Sequence, residues 1–453
     1  MQTRTYSLDE GKPKTAELKR ELRFWDSVAI NIGIIIGVGI FRTPSTIAKY
    51  LSSPLLILAT WVVGGVIACV GALCYAELAS RHPHTGGTYV FLRESYGKLV
   101  SFLFGWTEIT ILRAGSIAAV AYVFSTYLKN FVSLGIWGEK FIAIALICGL
   151  TVINILGVKL GARVQHVFSS LKILTLFGIS AAVFLMFPKL GNVSAIWHAE
   201  AAKQSYAHFP LLWTSALVPI LWTYGGWHES AFMSGEFHDT KRELPFSIVT
   251  SALVVTAFYV LVNVAYLLVI PPSQMVETKA IAAGVINRLF GNSGNLIISL
   301  AVLISATGAL NSTIMTGGRI PFAVAKDYPK FGWFAHVDSK FGTPKRALLL
   351  NSIWAAVLIL FGNFETLLFF CQFAQWLFFA LAGASLIWAR KNSLHEGFET
   401  PLHPLFPILF VALGAAICVS IIWNFPHASL TGIALIAIGI PIYLWLKYSE
   451  SAR

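Results

Sequence analysis

The sequence predicts an all-α membrane protein with about twelve transmembrane helices, of which the first and the sixth are interrupted near their middle. Three observations support this fold class. The chain of 453 residues has a mean hydropathy of +0.71, with 56% hydrophobic and only 12% charged residues. Apolar runs of about 20 residues, the length that crosses a hydrocarbon core, recur from Phe24 almost to Lys447. The first and the sixth run each contain a glycine cluster.

The low charge content excludes a soluble domain of useful size, because such a domain carries about 25% charged residues. The formal net charge of +12 does not indicate nucleic-acid binding. The basic residues are spread through short connections between apolar helices, which is the pattern that encodes orientation in a membrane. We therefore expect one membrane domain in contact with lipid, and no nucleic-acid partner.

Hydropathy and loop breakers define the individual spans. In chain order they are predicted near Trp25–Tyr50, Pro54–Ser80, Val100–Leu128, Phe141–Leu156, Val167–Phe187, Leu211–Ser234, Pro245–Ile270, Leu296–Ala325, Ala347–Gly362, Leu367–Ala389, Leu405–Trp423 and Leu430–Leu446. The chain is thus a single transmembrane domain, 25–447, between two short tails, 1–24 and 448–453. The five cysteines, Cys69, Cys74, Cys148, Cys371 and Cys418, all fall inside apolar runs, so we expect small buried residues and no disulfide.

The distribution of Lys and Arg predicts the orientation. With the N-terminus in the cytoplasm, the cytoplasmic segments carry 23 of these residues and the opposite side 8, while Arg113 and Lys172 lie inside spans. This asymmetry places both termini in the cytoplasm by the positive-inside rule. The first 23 residues contain no short apolar stretch with a cleavage site, so we expect no signal peptide. The predicted location is the inner or plasma membrane of the cell.

The glycine clusters are predicted to break their helices. Gly33, Gly37 and Gly39 lie in the first span, and Gly225 and Gly226 lie in the sixth. Glycine costs about 1 kcal/mol relative to alanine inside a helix, so a cluster lets the chain leave the helix and expose N–H and C=O groups. Interrupted helices at corresponding places in two five-helix halves indicate an inverted-repeat transporter with a site at the bilayer midplane.

Such a break can hold a zwitterion. The half-helix that follows the break offers N–H donors to a carboxylate, and the carbonyls that end the preceding half accept from an ammonium. The alternative is that the glycines are packing contacts, because a small-xxx-small spacing such as that of Gly33 and Gly37 brings membrane helices together. The symmetric placement of the two clusters, with Trp222, Tyr224 and Trp227 beside the second, favours the site.

Five motifs carry a resemblance to a known family. They are Gly-Ile-Ile-Ile-Gly-Val-Gly-Ile-Phe-Arg-Thr-Pro (33–44), Gly-Ala-Leu-Cys-Tyr-Ala-Glu-Leu (71–78), His-Thr-Gly-Gly-Thr-Tyr (84–89), Ala-Arg-Val-Gln (162–165) and Thr-Tyr-Gly-Gly-Trp (223–227). In this order they resemble the L-type amino acid transporters of the amino acid–polyamine–organocation superfamily, in particular its prokaryotic members. The resemblance implies a LeuT-like fold, with inverted repeats near 25–188 and 211–391, two extra helices near 405–447, and transport by alternating access.

The resemblance also implies roles for the residues at the breaks. The carbonyls of Ile35, Trp222 and Gly225 would bind the substrate ammonium, and the N–H groups of Val38 and Gly39 its carboxylate. Gly37 and Gly226 would complete the cradle. Trp222 matches an aromatic residue that closes over the substrate. Some relatives that accept cationic amino acids carry an acidic residue at position 225, so Gly225 favours neutral substrates, because an unpaired buried charge is costly.

Lys172 is the single residue with the most specific predicted role. Ionisable residues inside membrane spans are energetically costly and usually mark a functional site. In the resembling family a lysine at this place reaches the broken first helix and substitutes for a sodium ion, which implies sodium-independent transport. The alternative is a lysine whose long stem reaches the membrane interface.

Other polar residues have weaker predicted roles. Arg113 is expected to be structural or part of a gate, with Glu108 as one possible partner. His228 and Glu229 follow the second break, and each either gives transport a pH dependence, with His228 as a proton-relay residue, or faces water in the vestibule. Pocket-wall candidates without ranking are Ser305, Thr307, Asn311 and Trp376. Near span ends, Glu77, Glu94 and Glu236 are predicted to pair with Arg81, Arg93 and Arg242 or to be solvated.

The predicted function is sodium-independent exchange of neutral L-amino acids. The alternatives are a proton-coupled symporter on the same fold and, more distantly, an amino-acid sensor without transport. Phosphate-loop, zinc-protease and nucleophile-elbow motifs are missing from the sequence, so neither an enzyme nor a metal or cofactor site is expected. Eukaryotic relatives often bind a glycoprotein through a cysteine between the third and fourth spans. The segment from Leu128 to Phe141 has no cysteine, which predicts no disulfide-linked heavy chain. The oligomeric state stays open.

Overall fold

The computed structural model describes residues 18–186, 193–278, 280–291, 294–361, 364–392, 397–424 and 426–451. Within these ranges the secondary structure is helical, apart from one isolated bridge between Leu22 and Phe237. The predicted N-terminal tail falls largely outside them, up to residue 17, whereas only residues 452 and 453 of the predicted C-terminal tail do.

The helices follow one another through short connections. They are α1 Phe24–Ile35, α2 Gly39–Ile47, α3 Pro54–Arg81, α4 Thr88–Thr107, α5 Arg113–Leu128, α6 Ile136–Ile155, α7 Val158–Met186, α8 Val193–Ala202, α9 Phe209–Thr223, α10 Glu243–Val269, α11 Pro272–Met275, α12 Ile281–Phe290, α13 Gly294–Gly317, α14 Arg319–Asp327, α15 Lys345–Phe361, α16 Phe364–Asn392, α17 Leu405–Asn424 and α18 Pro426–Ser451. A π-helical turn, Glu108–Leu112, joins α4 to α5, and 3₁₀ segments cover Glu229–Glu236 and Pro329–Ala335.

Each of the twelve predicted spans coincides with helix. In the described part of the chain, nine helical segments are long and apolar enough to cross a membrane, and α1 with α2 forms a tenth span bent by 44°. The two remaining spans are shorter: α9 has 15 residues and leads into the 3₁₀ segment, and α15 has 17. The predicted all-α membrane fold with an interrupted first and sixth span is confirmed.

Some helices extend beyond the predicted spans. Helix α4 begins at Thr88, but the non-helical Gly97 (φ +78°) divides it, and the part after this kink begins close to the predicted Val100. The helix of the fifth span begins at Val158 instead of Val167, and α18 continues to Ser451. Hydropathy detects only the part of a helix that lies in hydrocarbon, whereas polar turns extend these helices beyond it.

Burial decreases from the broken spans outward. The segment formed by α13 and α14 is the most buried of the membrane-crossing helices, and α6, α17 and α18 are the least buried. This explains why, of the four cysteines whose side chains the structure describes, Cys148 contradicts its predicted burial: it is exposed on the peripheral helix α6, while the side chain of Cys371 lies outside the described part of the chain. Apolar residues on such a helix face lipid, so apolarity in a membrane protein does not by itself indicate the protein interior.

Candidate functional site

The first break lies between α1 and α2. The N–H of Ile36 still donates to the carbonyl of Ile32 (2.9 Å), but the N–H of Gly37 turns back to the carbonyl of Ile35 (2.7 Å). Helix α2 then begins at Gly39 in a new direction. No described residue accepts a hydrogen bond from the N–H of Val38 or Gly39. Two backbone donors are therefore free at the N-terminus of α2.

The second break follows α9. The N–H of Gly225 donates to the carbonyl of Trp222 (3.0 Å), and Gly226 adopts a φ of +116°. A Cβ atom on Gly226 would lie 2.5 Å from Cγ2 of Ile34 and 3.1 Å from the backbone N of Ile35. The two breaks are thus in direct backbone contact, and glycine is required there both by its φ and by the close approach.

Polar side chains of other helices hold the two breaks together. The Tyr259 hydroxyl on α10 lies 2.6 Å from the carbonyl oxygen of Ile35 and 3.2 Å from that of Thr223, so its single O–H is shared between the two carbonyls. With the bond from Gly37, both lone pairs of the Ile35 oxygen are engaged. Of the three carbonyls predicted to bind an ammonium, that of Gly225 has no donor among the described residues.

Lys172 contacts the end of α1. Its Nζ donates to the carbonyl of Gly33 at 2.5 Å, and its side chain is buried. In a continuous helix this carbonyl would accept from Gly37, whose N–H is used at the break instead. An ammonium is favourable at a helix C-terminus because the last carbonyls are unpaired and the helix dipole is negative there. The structure therefore brings Lys172 to the first break.

The pocket-wall candidates divide into two groups. The single O–H of Ser305 on α13 is shared between the carbonyl oxygens of Ile36 (2.9 Å) and Gly37 (3.1 Å), so Ser305 belongs to the first break. Asn311, one helix turn and a half further on, instead bonds Gly161 and the side chains of Gln165 and Asn154.

Two other candidates are not brought to the breaks by the contacts that the structure describes. Thr307 bonds only within its own helix, to the carbonyl of Leu303. Trp376 packs on Phe379 and Phe410 between α16 and α17. Its indole therefore supports the interface with α17, and no described contact brings it to the breaks.

Solvent reaches the breaks from one side only. The side chain of Trp222 is 38% exposed, and Gly37, Val38 and Gly225 are partly exposed. In contrast, residues 27–33 of α1 and almost all of the segment Glu229–Glu236 are buried. The breaks are thus open on the side of α2 and α9 and closed on the side of the N-terminus.

Arg113 is the centre of a buried charge cluster beneath the second break. Its NH1 donates to both carboxylate oxygens of Glu229 (3.0 and 2.9 Å), and its Nε lies 3.3 Å from Glu108. Residues five apart are about 140° apart around an α-helix, but the π-helical turn brings Glu108 and Arg113 together. The predicted pairing with Glu108 is present, and the stronger partner, Glu229, was not predicted from the sequence.

The expectation that His228 and Glu229 face water was wrong. His228 is 2% exposed, and its ring packs against Tyr75, Trp227, Phe232 and Phe379. The backbone leaves the helix at Gly226 and re-enters the protein interior, which the linear pattern of polar residues did not indicate.

The ion pairs near the span ends also differ in part from those predicted. Glu77 pairs with Arg81 (2.8 Å) and also with Arg390 (2.7 Å). Glu236 bonds Arg319 (2.6 Å), not Arg242, and both side chains are fully buried. Glu94 pairs with its neighbour Arg93 (2.9 Å). The pair of Glu236 and Arg319 helps to close the side of the N-terminus.

The comparison with known proteins identifies the family to which these breaks belong. A family model described as amino acid permease matches residues 22–444. The chain belongs to the amino acid permease family. Its membership confirms the sequence-based resemblance and the interpretation as a multi-pass membrane transporter, not an enzyme.

The sequence similarity to individual relatives extends over most of each relative's length. The permease is 30% identical to the b(0,+)-type amino acid transporter 1 of Mus musculus over 409 residues, which cover 88% of this chain and 82% of the relative. It is 29% identical to the serine/threonine exchanger SteT of Bacillus subtilis (strain 168), with 96% and 98% covered. It is also 28% identical to the large neutral amino acids transporter small subunit 2 of Homo sapiens, with 94% and 80% covered.

Tyr259 is the residue at the permease breaks that sequence reasoning missed. The available signal was a tyrosine one helix turn before Asn263 in an otherwise apolar span, and nothing in the spacing pointed to the breaks. Polar side chains within spans commonly bridge to other helices, so this signal indicates a contact but not its partner.

We expect Tyr259→Phe to lower the transport rate by about fivefold, because one hydrogen bond is worth about 1 kcal/mol and this one fixes the relative position of the breaks. Initial uptake rates in proteoliposomes measure the effect. The matched control is Tyr266→Phe on the same helix, since the buried Tyr266 hydroxyl has no hydrogen-bond partner in the described chain. Equal rates for the two variants would contradict the prediction.

Proposed function

We propose that this permease is a sodium-independent exchanger of neutral L-amino acids that works by alternating access. The observation that carries the proposal is the contact between the buried Lys172 ammonium and the carbonyl of Gly33 at the first break. It puts an amine of the protein at a helix end where a transporter driven by sodium needs a cation-binding site.

The free backbone groups match the two charged ends of an amino acid. The unpaired N–H groups of Val38 and Gly39 lie at a helix N-terminus and suit a carboxylate. The unpaired carbonyl of Gly225 suits an ammonium. Trp222 is exposed beside them and is the aromatic side chain that would cover a bound substrate. Gly37 is partly exposed at the first break, and Gly226 lets the second break approach it closely.

The charges near the breaks favour a neutral side chain. Gly225 offers no counter-charge to a cationic substrate. The carboxylate of Glu229, which follows the second break, is already neutralised by Arg113. A cationic side chain in this pocket would therefore be desolvated without a partner. A cation is accordingly disfavoured as substrate.

The names of two relatives support exchange and neutral substrates. SteT is called a serine/threonine exchanger, and the human relative a transporter of large neutral amino acids. These names cover small and large side chains. A competition panel of the twenty amino acids against one labelled substrate would resolve the preference.

We further propose that the protein lies in the cell membrane with both termini in the cytoplasm, as the excess of Lys and Arg in the corresponding segments favours. The connection between α5 and α6 contains no cysteine. We therefore expect no heavy chain bound through a disulfide at this connection, although one relative is named a small subunit.

Exchange is tested in proteoliposomes of the purified protein. We expect uptake of a labelled neutral amino acid to require unlabelled amino acid inside the vesicles, because only loaded carrier returns. Replacing sodium by choline is expected to leave the rate unchanged. Uptake into empty vesicles driven by an imposed pH gradient would indicate symport instead, and binding without flux would indicate a sensor.

A further inference from the structure

Two buried carboxylates share one arginine beneath the second break. Glu108, Arg113 and Glu229 come from the third and sixth spans, and each is at most 6% exposed. Arginine stays protonated in proteins, so the three groups carry one negative charge in excess if both carboxylates are ionised. A dry site at membrane depth does not tolerate such an excess.

Glu229 is the ionised member. Its carboxylate accepts two bonds from Arg113 NH1, and the Thr316 hydroxyl donates a third at 2.6 Å. Three donors stabilise the charged form of a carboxylate. Arg113 and Glu229 therefore form a neutral pair, in which the guanidinium also lies 5.2 Å from the Phe232 ring centroid.

The carboxyl group of Glu108 has no comparable set of hydrogen-bond donors. Its Oε2 lies 3.3 Å from Arg113 Nε, and neither atom completes a hydrogen bond with any described residue. It is thus an almost fully buried carboxyl group that is directed at an arginine already neutralised by another carboxylate. Because a buried carboxylate without donors is unfavourable, the protonated acid is the stable form here.

The other titratable groups at the cluster do not remove this excess. His228 Nε2 is 3.7 Å from Glu229, too far for a hydrogen bond, and its Nδ1 has no partner among the described residues. An imidazolium needs an acceptor for each N–H, so His228 is neutral. Tyr75 bonds the Thr88 hydroxyl (3.1 Å) and is also neutral. Lys172 contacts Gly33 and Gly308, away from the cluster.

We propose that the cluster is a proton-binding site in which Glu108 carries the proton while the side of the N-terminus is closed. Glu229 begins the 3₁₀ segment after the second break, so movement of this segment separates it from Arg113. The freed guanidinium then stabilises an ionised Glu108, whose O–H bond breaks as the proton passes to water. Opening and closing are thereby linked to one proton. This consequence for transport rests on the proposed function, whereas the presence of the proton does not.

Infrared spectroscopy tests the proton directly, without transport. In the purified protein at neutral pH we expect the C=O band of a protonated carboxylic acid, shifted in D₂O and lost in Glu108→Gln. Glu94→Gln is the matched control, because Glu94 lies on the same span but is exposed and paired with Arg93. A wild-type protein without the band would overturn the proposal, as would a band that persists unchanged in Glu108→Gln.

Amino-acid exchange, measured at the same pH inside and outside the vesicles, tests whether opening and closing are linked to the proton on Glu108. We expect the wild-type rate to change with pH by up to about tenfold per unit, the limit for one linked proton. Glu108→Gln mimics the protonated acid and is expected to exchange with a flat pH profile, whereas Glu94→Gln keeps the wild-type profile. If His228→Gln flattens the profile and Glu108→Gln does not, the proposal fails. Loss of exchange in every protein, including the wild type, would instead refute the proposed function and leave the infrared result standing.

Discussion

Replacement of Lys172 by alanine is expected to reduce exchange by about 5- to 150-fold. The variant leaves the carbonyl of Gly33 without a partner at the end of α1, and an unsatisfied buried polar group costs about 1–3 kcal/mol. It also removes the positive charge that favours the end of this half-helix. Initial exchange rates in proteoliposomes, with sodium and with choline, measure the loss.

Two further variants separate the charge of Lys172 from its bulk. Lys172→Met keeps most of the apolar stem and removes the ammonium, so it should be as impaired as the alanine variant. Lys159→Met, at an exposed position of the same helix, should exchange at the wild-type rate. Wild-type exchange by Lys172→Met would show that the ammonium is dispensable and would contradict the sodium-substitute role.

Gly226→Ala is expected to abolish transport and to destabilise the protein. An L-residue at a φ of +116° costs about 1–3 kcal/mol, and the new Cβ would lie 2.5 Å from Ile34 Cγ2. The two breaks would be forced apart, which displaces the backbone groups that are proposed to bind the substrate. Thermal unfolding of the purified protein measures the first effect, and exchange measures the second.

Gly291→Ala is the matched control for this substitution. Gly291 also has a positive φ (+72°), but a Cβ atom at this position would have no described atom within 4 Å. It should therefore lose some stability and keep its transport. If Gly226→Ala transports as well as Gly291→Ala, close contact between the breaks is not needed for function.

The sequence was sufficient for the helices and for the existence of the breaks. Apolar length and glycine clustering are local properties, so the twelve spans and the interruptions at Gly37 and Gly226 could be predicted without knowledge of packing. The ends of spans could not, because polar turns such as 158–166 in α7 are helical without being apolar.

The partners of the polar residues depended on tertiary contacts. Lys172 and Ser305 reach the first break, but Asn311, six residues beyond Ser305, turns towards α6 and α7. Helix facing decides between these outcomes, and an apolar span that is buried nearly all round gives no periodic signal for it. The contacts of Tyr259 and Glu229 were hidden for the same reason, because each joins residues far apart in the chain.

The isolated bridge between Leu22 and Phe237 is one of two connections that the structure describes between the region of the chain's first helix and the segment after the second break. The N–H of Leu22 donates to Glu236, and that of His238 to Leu22, while the Asn31 side chain exchanges two hydrogen bonds with Ser230. Helix α1 and the segment Glu229–Glu236 are therefore joined by hydrogen bonds near both of their ends. We expect them to move together about the glycines, so that opening the side of the N-terminus requires one movement and not two independent ones.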